Sequence, residues 1–487
     1  MGRHKLQIRA PLLSRIGSPP IGEEGKKRAS KKAPTAAKTL RSSGSVVIGR
    51  NISASNDMML ERVQRAHFQY FLDYQDKTTG LILDRTRLDG PATIAGVGFA
   101  LSAYGAASKR LWVSRSEAAA YTLRVMRTLW NVPQGEQAEG TNGYRGFFYH
   151  FLNPATGTRA TAPQFWNSEL SSIDTALLMA GVRFARYFYR GKSVDEVEIR
   201  DLADKLYKRV EWTWLVRDDG LIGHGWTPEG GLIPSVYAGY SEAPLLYLLA
   251  LGSPTHPAPA ASWDALFAQP EFSQQAGKTY VSMPGQPLFC YQFPQSFIDF
   301  RGIKDKLNRK LGFDYFENSK RATLAQHQYA IDNPQGFRGY DRLNWGLTAC
   351  DGPGDFTKVV DGKERTFSWY RERGCPVGHD DGTIAPTAAI SSLPFAPMLV
   401  LSTIRGWLKN RPELFSMHGF ADAFNPTFGA SLRSGWVDAE RIAIDQGPIV
   451  LMIENYRSGL VWNTMRRDPA LVRALRKADF QGGWLSK

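Results

Sequence analysis

Apolar residues begin to recur at a helical period from Asp57 onward, where Met58, Leu60, Val63, Phe68, Phe71 and Leu72 fall near a 3.6-residue spacing. The same criterion predicts helices over 92–108, 114–131, 168–189, 194–216, 295–311, 314–331, 383–408 (two, broken at Pro394 and Pro397) and 446–465, with a short one behind Pro469. Ser114 followed by Glu117 has capping-box spacing. Between these lie a loop at 78–86, a bent extended segment at 143–159 and a hairpin about the Asp361-Gly362 pair. The stretch Asp219–Pro257 starts as a glycine-rich loop and turns into an apolar helix over Ala243–Leu251, with Ser241 as the expected N-cap and Gly252 and Pro254 as its stop. Sustained parallel-strand patterns are absent. About a dozen helices, spaced without sequence repeat, predict an all-α ring of paired inner and outer helices. Loops at one end of such a ring would form the site.

Composition changes this picture in two places. The chain has 487 residues with 43% hydrophobic and 12% aromatic content, enough for a large core and for aromatic platforms in loops. The formal charge of +14 is concentrated in residues 1–50, which hold twelve Lys and Arg against two Glu. Residues 1–55 therefore read as a basic, disordered tail, and 56–487 as one domain whose own charge requires neither nucleic acid nor an anionic surface. No apolar run suited to a signal peptide or a membrane span is found, which predicts a cytoplasmic protein. Cys290, Cys350 and Cys375 form no metal motif or disulfide framework, and the eight His include no i, i+4 pair. No dinucleotide, phosphate-loop, zinc-protease or serine-hydrolase motif appears, so no cofactor or metal is expected.

Carboxylates stand beside glycine or aromatic residues in four places. They are Glu169 and Asp174; Glu242; Asp351 and Asp355 with Asp380 and Asp381; and Asp445 with Glu454. A pair of carboxyls in an aromatic cleft is what glycosyl transfer to water needs, one to protonate the departing oxygen and one to activate water. Glu242 follows Tyr237 and Tyr240 and precedes an apolar helix, so burial would raise its pKa toward that of a proton donor. The competing reading makes it an ordinary first-turn Glu held by the helix dipole.

The segments GFFYHFL, SELSSIDTALLMAG, GHGW, YSEAPLLYLLALGSPTHP, FIDFRGI, DYFENSKRAT, WGLTACDGPGDF, DDGTIAPTAAISSLPFAP and IDQGPIVLMIENYRSGLVW, in order from about Met59 to Arg466, resemble the glycoamylase-like family. That family includes the endo-β-1,2-glucanases of glycoside hydrolase family 144 and is similar to the glucanotransferase region of cyclic β-1,2-glucan synthases. The resemblance implies an (α/α)6 toroid and a β-glucan hydrolase, endo-acting on β-1,2-glucan with inversion. Glu242 would be its general acid and Asp445 its base, with Glu169 and Asp174 in the same cleft. Gly447 would leave room for a water beside Asp445. Trp226, Tyr240, Trp345 and Tyr456 would stack on sugar rings; Arg145, Asp299, Arg301, Asp351 and Asp381 would hold hydroxyls. The rivals are an exo-acting glucoamylase-like hydrolase, a transglycosylase on the same scaffold, and a glucan-binding protein without turnover. Many relatives carry a secretory signal, which leaves a periplasmic location open beside the cytoplasmic one.

Overall fold

The structure, a computed structural model, describes residues 52–275, 277–283, 285–429 and 434–486. The expected tail lies outside the described residues up to position 51; Ser53, at its predicted end, already caps the first helix, its Oγ accepting from the Asn56 N–H. Among the described residues the helices are α1 (Ala54–Asp73), α2 (Ile94–Lys109), α3 (Arg115–Asn131), α4 (Ser172–Phe188), α5 (Val194–Arg209), α6 (Ala243–Gly252), α7 (Ala261–Leu266) and α8 (Phe289–Phe297). They continue as α9 (Lys306–Leu311), α10 (Tyr315–Asp332), α11 (Pro386–Ile390), α12 (Pro397–Asn410), α13 (Ala443–Arg457), α14 (Leu460–Met465) and α15 (Pro469–Lys477).

Six of these form a closed inner ring. α2 packs on α4, α4 on α6, α6 on α8, α8 and α11 on α13, and α13 back on α2. Between α8 and α11 the Gln292 side-chain amide donates to the Ala388 carbonyl at 2.7 Å and to Ser392 Oγ at 2.9 Å. The inner helices are apolar nearly all round: every residue of α6 is buried, and every residue of α2 except Lys109. Such helices are stable only when covered on all sides. The outer helices supply that cover, α1 on α13 and α2, α3 on α2, α5 on α4, α15 on α6, α10 on α8 and α12 on α11. Their patterns are amphipathic, with buried residues along one stripe, as in α3 (Ala118, Thr122, Val125, Met126, Leu129). The arrangement is the (α/α)6 toroid expected from the sequence.

Glycine sets the closest crossing. A Cβ on Gly98 of α2 would stand 2.2 Å from the Leu177 carbonyl oxygen of α4, and one on Gly181 would stand 2.0 Å from that of Gly98. The two helices therefore meet backbone to backbone, which fixes the start of α4 and with it Asp174.

Several boundaries differ from the sequence reading. The helix expected over 295–311 is α8, a loop and α9, because Ile298 is extended and Asp305 opens a new helix by accepting from the Asn308 N–H at 2.8 Å. α5 stops at Arg209 and a single 3-10 turn follows at Trp212–Leu215. α13 begins three residues earlier than predicted and ends where Gly459 turns left-handed (φ 69°), so the last long helix is two. The segment at 143–159 joins residues 170–171, 225–227 and 231–232 in a five-stranded antiparallel sheet. The hairpins at Phe356–Val360 with Lys363–Phe367 and at Glu271–Gln275 with Lys278–Ser282 stand apart from it. No helix among the described residues is long and apolar enough to cross a membrane.

Candidate active site

The N-terminal ends of five of the six inner helices converge on one cavity of about 830 Å3. Thr93 precedes α2, Ile173 and Asp174 open α4, Glu242 precedes α6, Phe289 opens α8, and Ile442 and Asp445 open α13; all line it. Loops complete the wall with Asp84 and Arg85, His150 and Phe151, Trp166, and Trp369, Tyr370 and Glu372. Trp166, Trp369 and Tyr370 are 48%, 50% and 49% exposed, so aromatic faces on two separate loops are open to a ligand at the mouth.

Glu242 is the N-cap residue of α6, the place expected for Ser241; the Ser241 hydroxyl instead accepts from the Ala243 N–H at 3.1 Å. Pro244 fits the first turn because no intrahelical donor is needed there. Burial pushes the Glu242 carboxyl up to about 7, and the neighbouring Glu372 and Asp174 add to the rise. Among the described residues its side-chain donor is the buried thiol of Cys290, with Sγ 3.5 Å from Oε2. Burial raises Glu372 as well.

Asp445 sits in a different setting. It is 3% exposed, in the first turn of α13, where it and the buried Asp422 bear on each other's charge. Behind the pair, Asp422 Oδ2 accepts from the Asp351 N–H at 2.8 Å. Asp351 Oδ2 accepts from Arg85 Nη1 at 2.8 Å. Arg85 also meets Glu440 at 3.0 Å and Asp84 at 3.3 Å. Burial first, then like charge, raises both Asp422 and Asp445 well above the ordinary carboxylate range. Burial, with Asp422 and Asp351 nearby, pushes Asp438 up to about 8. One carboxylate oxygen from each of Asp351, Asp422 and Asp438 lies within 4.8 Å of the others, a spacing compatible with a hard cation. Gly447 does not open space for a water: a Cβ there would meet Phe99 of α2 at 2.3 Å, so the glycine serves the contact of α13 with α2.

A third group links the two sides. His150 Nδ1 lies 2.8 Å from Glu169 Oε1, and Nε2 lies 3.6 Å from Asp174 Oδ1. Burial opposes charge on the imidazole, but Asp174 and Glu169 outweigh it and raise His150 to about 9, so it is a cation at neutral pH. Burial pushes Glu169 up, and its pairing with His150 overrides that and lowers it. Asp174 lines the cavity; Glu169 stands behind His150.

The remaining residues expected to hold sugar lie elsewhere. Arg145 pairs with Glu211 at 2.8 Å and covers Tyr144 and Trp214. Trp226 packs on the same two rings, outside the cavity wall. Tyr240 is 3% exposed and stacks on Tyr291. Asp299 is buried between Arg301 and Arg466, and Arg301 covers Trp462. Trp345 is buried and donates to Thr403 Oγ1 at 2.9 Å. Asp381 is engaged by Arg373 and by the Ser368 and Thr383 N–H groups, and Tyr456 packs against the core. Asp351 belongs to the carboxylate group behind Asp445 rather than to the wall. Conversely, Asp84, Arg85, His150, Glu372, Asp422 and Asp438 were not among the residues picked from the sequence. The available signal was weak: Asp84-Arg85 follows the apolar run Leu81-Ile82-Leu83, and Asp422 stands between Ala421 and Ala423, where a solvated carboxylate is out of place.

Comparison with known proteins agrees with this geometry. Residues 235–469 match the Glycoamylase family model. An exo β-1,2-glucooligosaccharide sophorohydrolase of Parabacteroides distasonis is 27% identical over 96% of this chain; the chain spans 64% of that relative's length. The endo-β-1,2-glucanase of Chitinophaga pinensis, solved with sophorotriose and glucose, superposes with a TM-score of 0.74 at 26% identity, covering 88% of this chain and 99% of its own. A glucoamylase-like protein of Bacteroides uniformis superposes with a TM-score of 0.75 at 29% identity, covering 89% of this chain and all of its own. The chain is thus similar, over 235–469, to the glycoamylase family model and, over most of its length, to glycoside hydrolases of β-1,2-glucan.

Proposed function

We propose that this protein hydrolyses β-1,2-glucan within the chain, with Glu242 as general acid, Asp445 as general base and inversion at the anomeric carbon. The observation that carries the reading is that one cavity is bounded by two carboxyls with elevated pKa values reached by different routes. Glu242 is kept protonated near neutral pH by its apolar surroundings, the state a donor to the glycosidic oxygen requires. Asp445 stands on α13, three places from α6 around the inner ring, and accepts a proton when ionised. Attack by a water that Asp445 deprotonates, with Glu242 giving its proton to the departing oxygen, breaks the C–O bond and leaves both carboxyls exchanged in protonation state. Arg85, Arg87 and His150 are cationic side chains on the wall that can bind hydroxyls through charge-assisted bonds. The open aromatic faces of Trp166, Trp369 and Tyr370 support binding of a chain that extends past the cavity, which favours internal cleavage over trimming from an end.

The test is product analysis on linear β-1,2-glucan, with starch and laminarin as controls. A ladder of short oligosaccharides from the β-1,2-glucan alone is expected. Disaccharide alone, at all times, would replace the endo reading with an exo one, and longer products would indicate transfer. Early-time polarimetry should show release of the α-anomer; the β-anomer would remove inversion.

A further inference from the structure

His150 stands between two carboxylates on the cavity side of the inner ring. Its Nδ1 lies 2.8 Å from Glu169 Oε1, and its Nε2 lies 3.6 Å from Asp174 Oδ1. The first distance is a hydrogen bond and the second is too long for one. Among the described residues neither His150 Nε2 nor Asp174 Oδ1 has a hydrogen-bond partner. Both residues line the cavity.

The frame around the two atoms is fixed. The His150 N–H donates to the Glu169 carbonyl at 2.8 Å, which ties the strand before it to the segment leading into α4. The imidazole stacks on Phe151 with ring centroids 3.9 Å apart. Asp174 is held in the first turn of α4, where its N–H donates to Ser171 Oγ at 3.2 Å and the Ser171 hydroxyl donates to Asp174 Oδ2. A carboxylate only accepts, so the carboxylates on both edges of the ring are served only when each nitrogen carries a proton. Burial opposes that charge; Asp174, Glu169 and Asp84 outweigh it.

The wall thus presents a donor that cannot accept beside an acceptor that cannot donate. A hydroxyl does both, and the two atoms are close enough for one oxygen to meet each at about 2.8 Å. Trp166, whose residue is 48% exposed, packs edge-on against Phe151, so an apolar face stands near this polar notch. A pyranose ring has both kinds of surface.

We propose that His150 Nε2 and Asp174 Oδ1 clamp a single free hydroxyl of the glucan, His150 donating and Asp174 accepting, with Glu169 as the positioning residue that holds the imidazole. This rests on the reading of the cavity as a β-1,2-glucan site. In such a chain the linkage takes up the 2-hydroxyl, which leaves the 3-, 4- and 6-hydroxyls of an inner unit, and the clamp takes one of the three.

The test uses linear β-1,2-linked glucotetraose and three analogues, each lacking one of those hydroxyls. Both kcat/KM and Kd are measured for wild type, His150→Ala and Asp174→Ala. One analogue should lose about tenfold to a hundredfold with wild type, the scale of a hydrogen bond to charged groups. That loss should shrink to within about threefold in either variant, while the other two analogues behave alike in all three proteins. Losses that simply multiply for every analogue would overturn the clamp, as would a coupling spread equally over all three. Glu169→Gln keeps an acceptor for Nδ1 and removes the charge. It should weaken the same discrimination partway at little cost in melting temperature, and it carries the test if His150→Ala does not fold. Full discrimination in Glu169→Gln would overturn the positioning role. A wild type that binds the parent tetraose without cleaving it would remove the hydrolase reading and leave the clamp to be read from Kd; one that neither binds nor cleaves it would remove both.

Discussion

The two ends of the cavity raise a carboxyl pKa by unlike means. At Glu242 the surroundings are mostly apolar and neutral, with one thiol as side-chain donor and Glu372 as a neighbour; desolvation dominates. At Asp445 burial is joined by a crowd of carboxyls sharing Arg85 and Arg441. Desolvation fixes one group almost independently of its neighbours. Crowding distributes protons over a set, so that a change at any member is felt by the others. Glu242, the proposed acid, should therefore behave as an isolated titrating group, and Asp445, the proposed base, as part of a network.

The largest expected effect tests the acid. Glu242→Gln should fold normally and lose about two to four decades of turnover, the scale of a missing general acid, while still binding glucan in isothermal titration. Near-normal turnover would remove the assignment. Asp445→Asn should lose a comparable amount, but its stability should distinguish it. A buried acid whose folded pKa is raised binds its proton more tightly in the folded state, so it weakens the fold as pH rises above its unfolded pKa and until the folded pKa is passed. The amide removes that penalty, so the melting temperature of Asp445→Asn should exceed wild type by about 1 °C or more at alkaline pH, with the gain shrinking toward pH 5. A gain independent of pH would contradict the crowding account.

The pH profile sharpens the contrast further. The kcat/KM curve should be bell-shaped: its basic limb, set by deprotonation of Glu242, should fall near pH 7, and its acid limb, set by protonation of the Asp445 network, should lie above the ordinary carboxylate range. Salt should move the acid limb more than the basic one, since charges couple the first. The smallest effect concerns Cys290. Its thiol supports the Glu242 anion, so Cys290→Ala should raise the Glu242 pKa slightly and carry the basic limb to higher pH, with little change at the acid limb. Movement of both limbs together would mean that the two ends are not separate.

The ring and most of its helices were readable because an inner helix covered on all sides is written as a continuous apolar run, as in 243–251, and an outer one as a stripe, as in 115–129. Glu242, Asp174 and Asp445 were readable because each begins such a run. The partners of Asp445 were not. Asp351 and Asp422 are 71 residues apart, and Arg85 reaches Glu440 across 355; nothing local marks residues that meet only on tertiary packing. Trp226, Tyr240 and Trp345 were misplaced for the converse reason: an aromatic residue near a glycine-rich loop looks the same in sequence whether its ring faces a ligand or another ring.

The closure of α13 onto α2 has a consequence in time. The first inner helix and the last are neighbours, so the base and its carboxylate network take shape only when a segment beyond residue 443 returns to one that was made before residue 110. During synthesis from the N-terminus the acid-bearing helix exists some two hundred residues before its counterpart, and long-range contacts of this kind form late. On the proposed reading, a partly made chain holds a proton donor with no base to work with it, and hydrolysis would begin only with the contact that completes the circle.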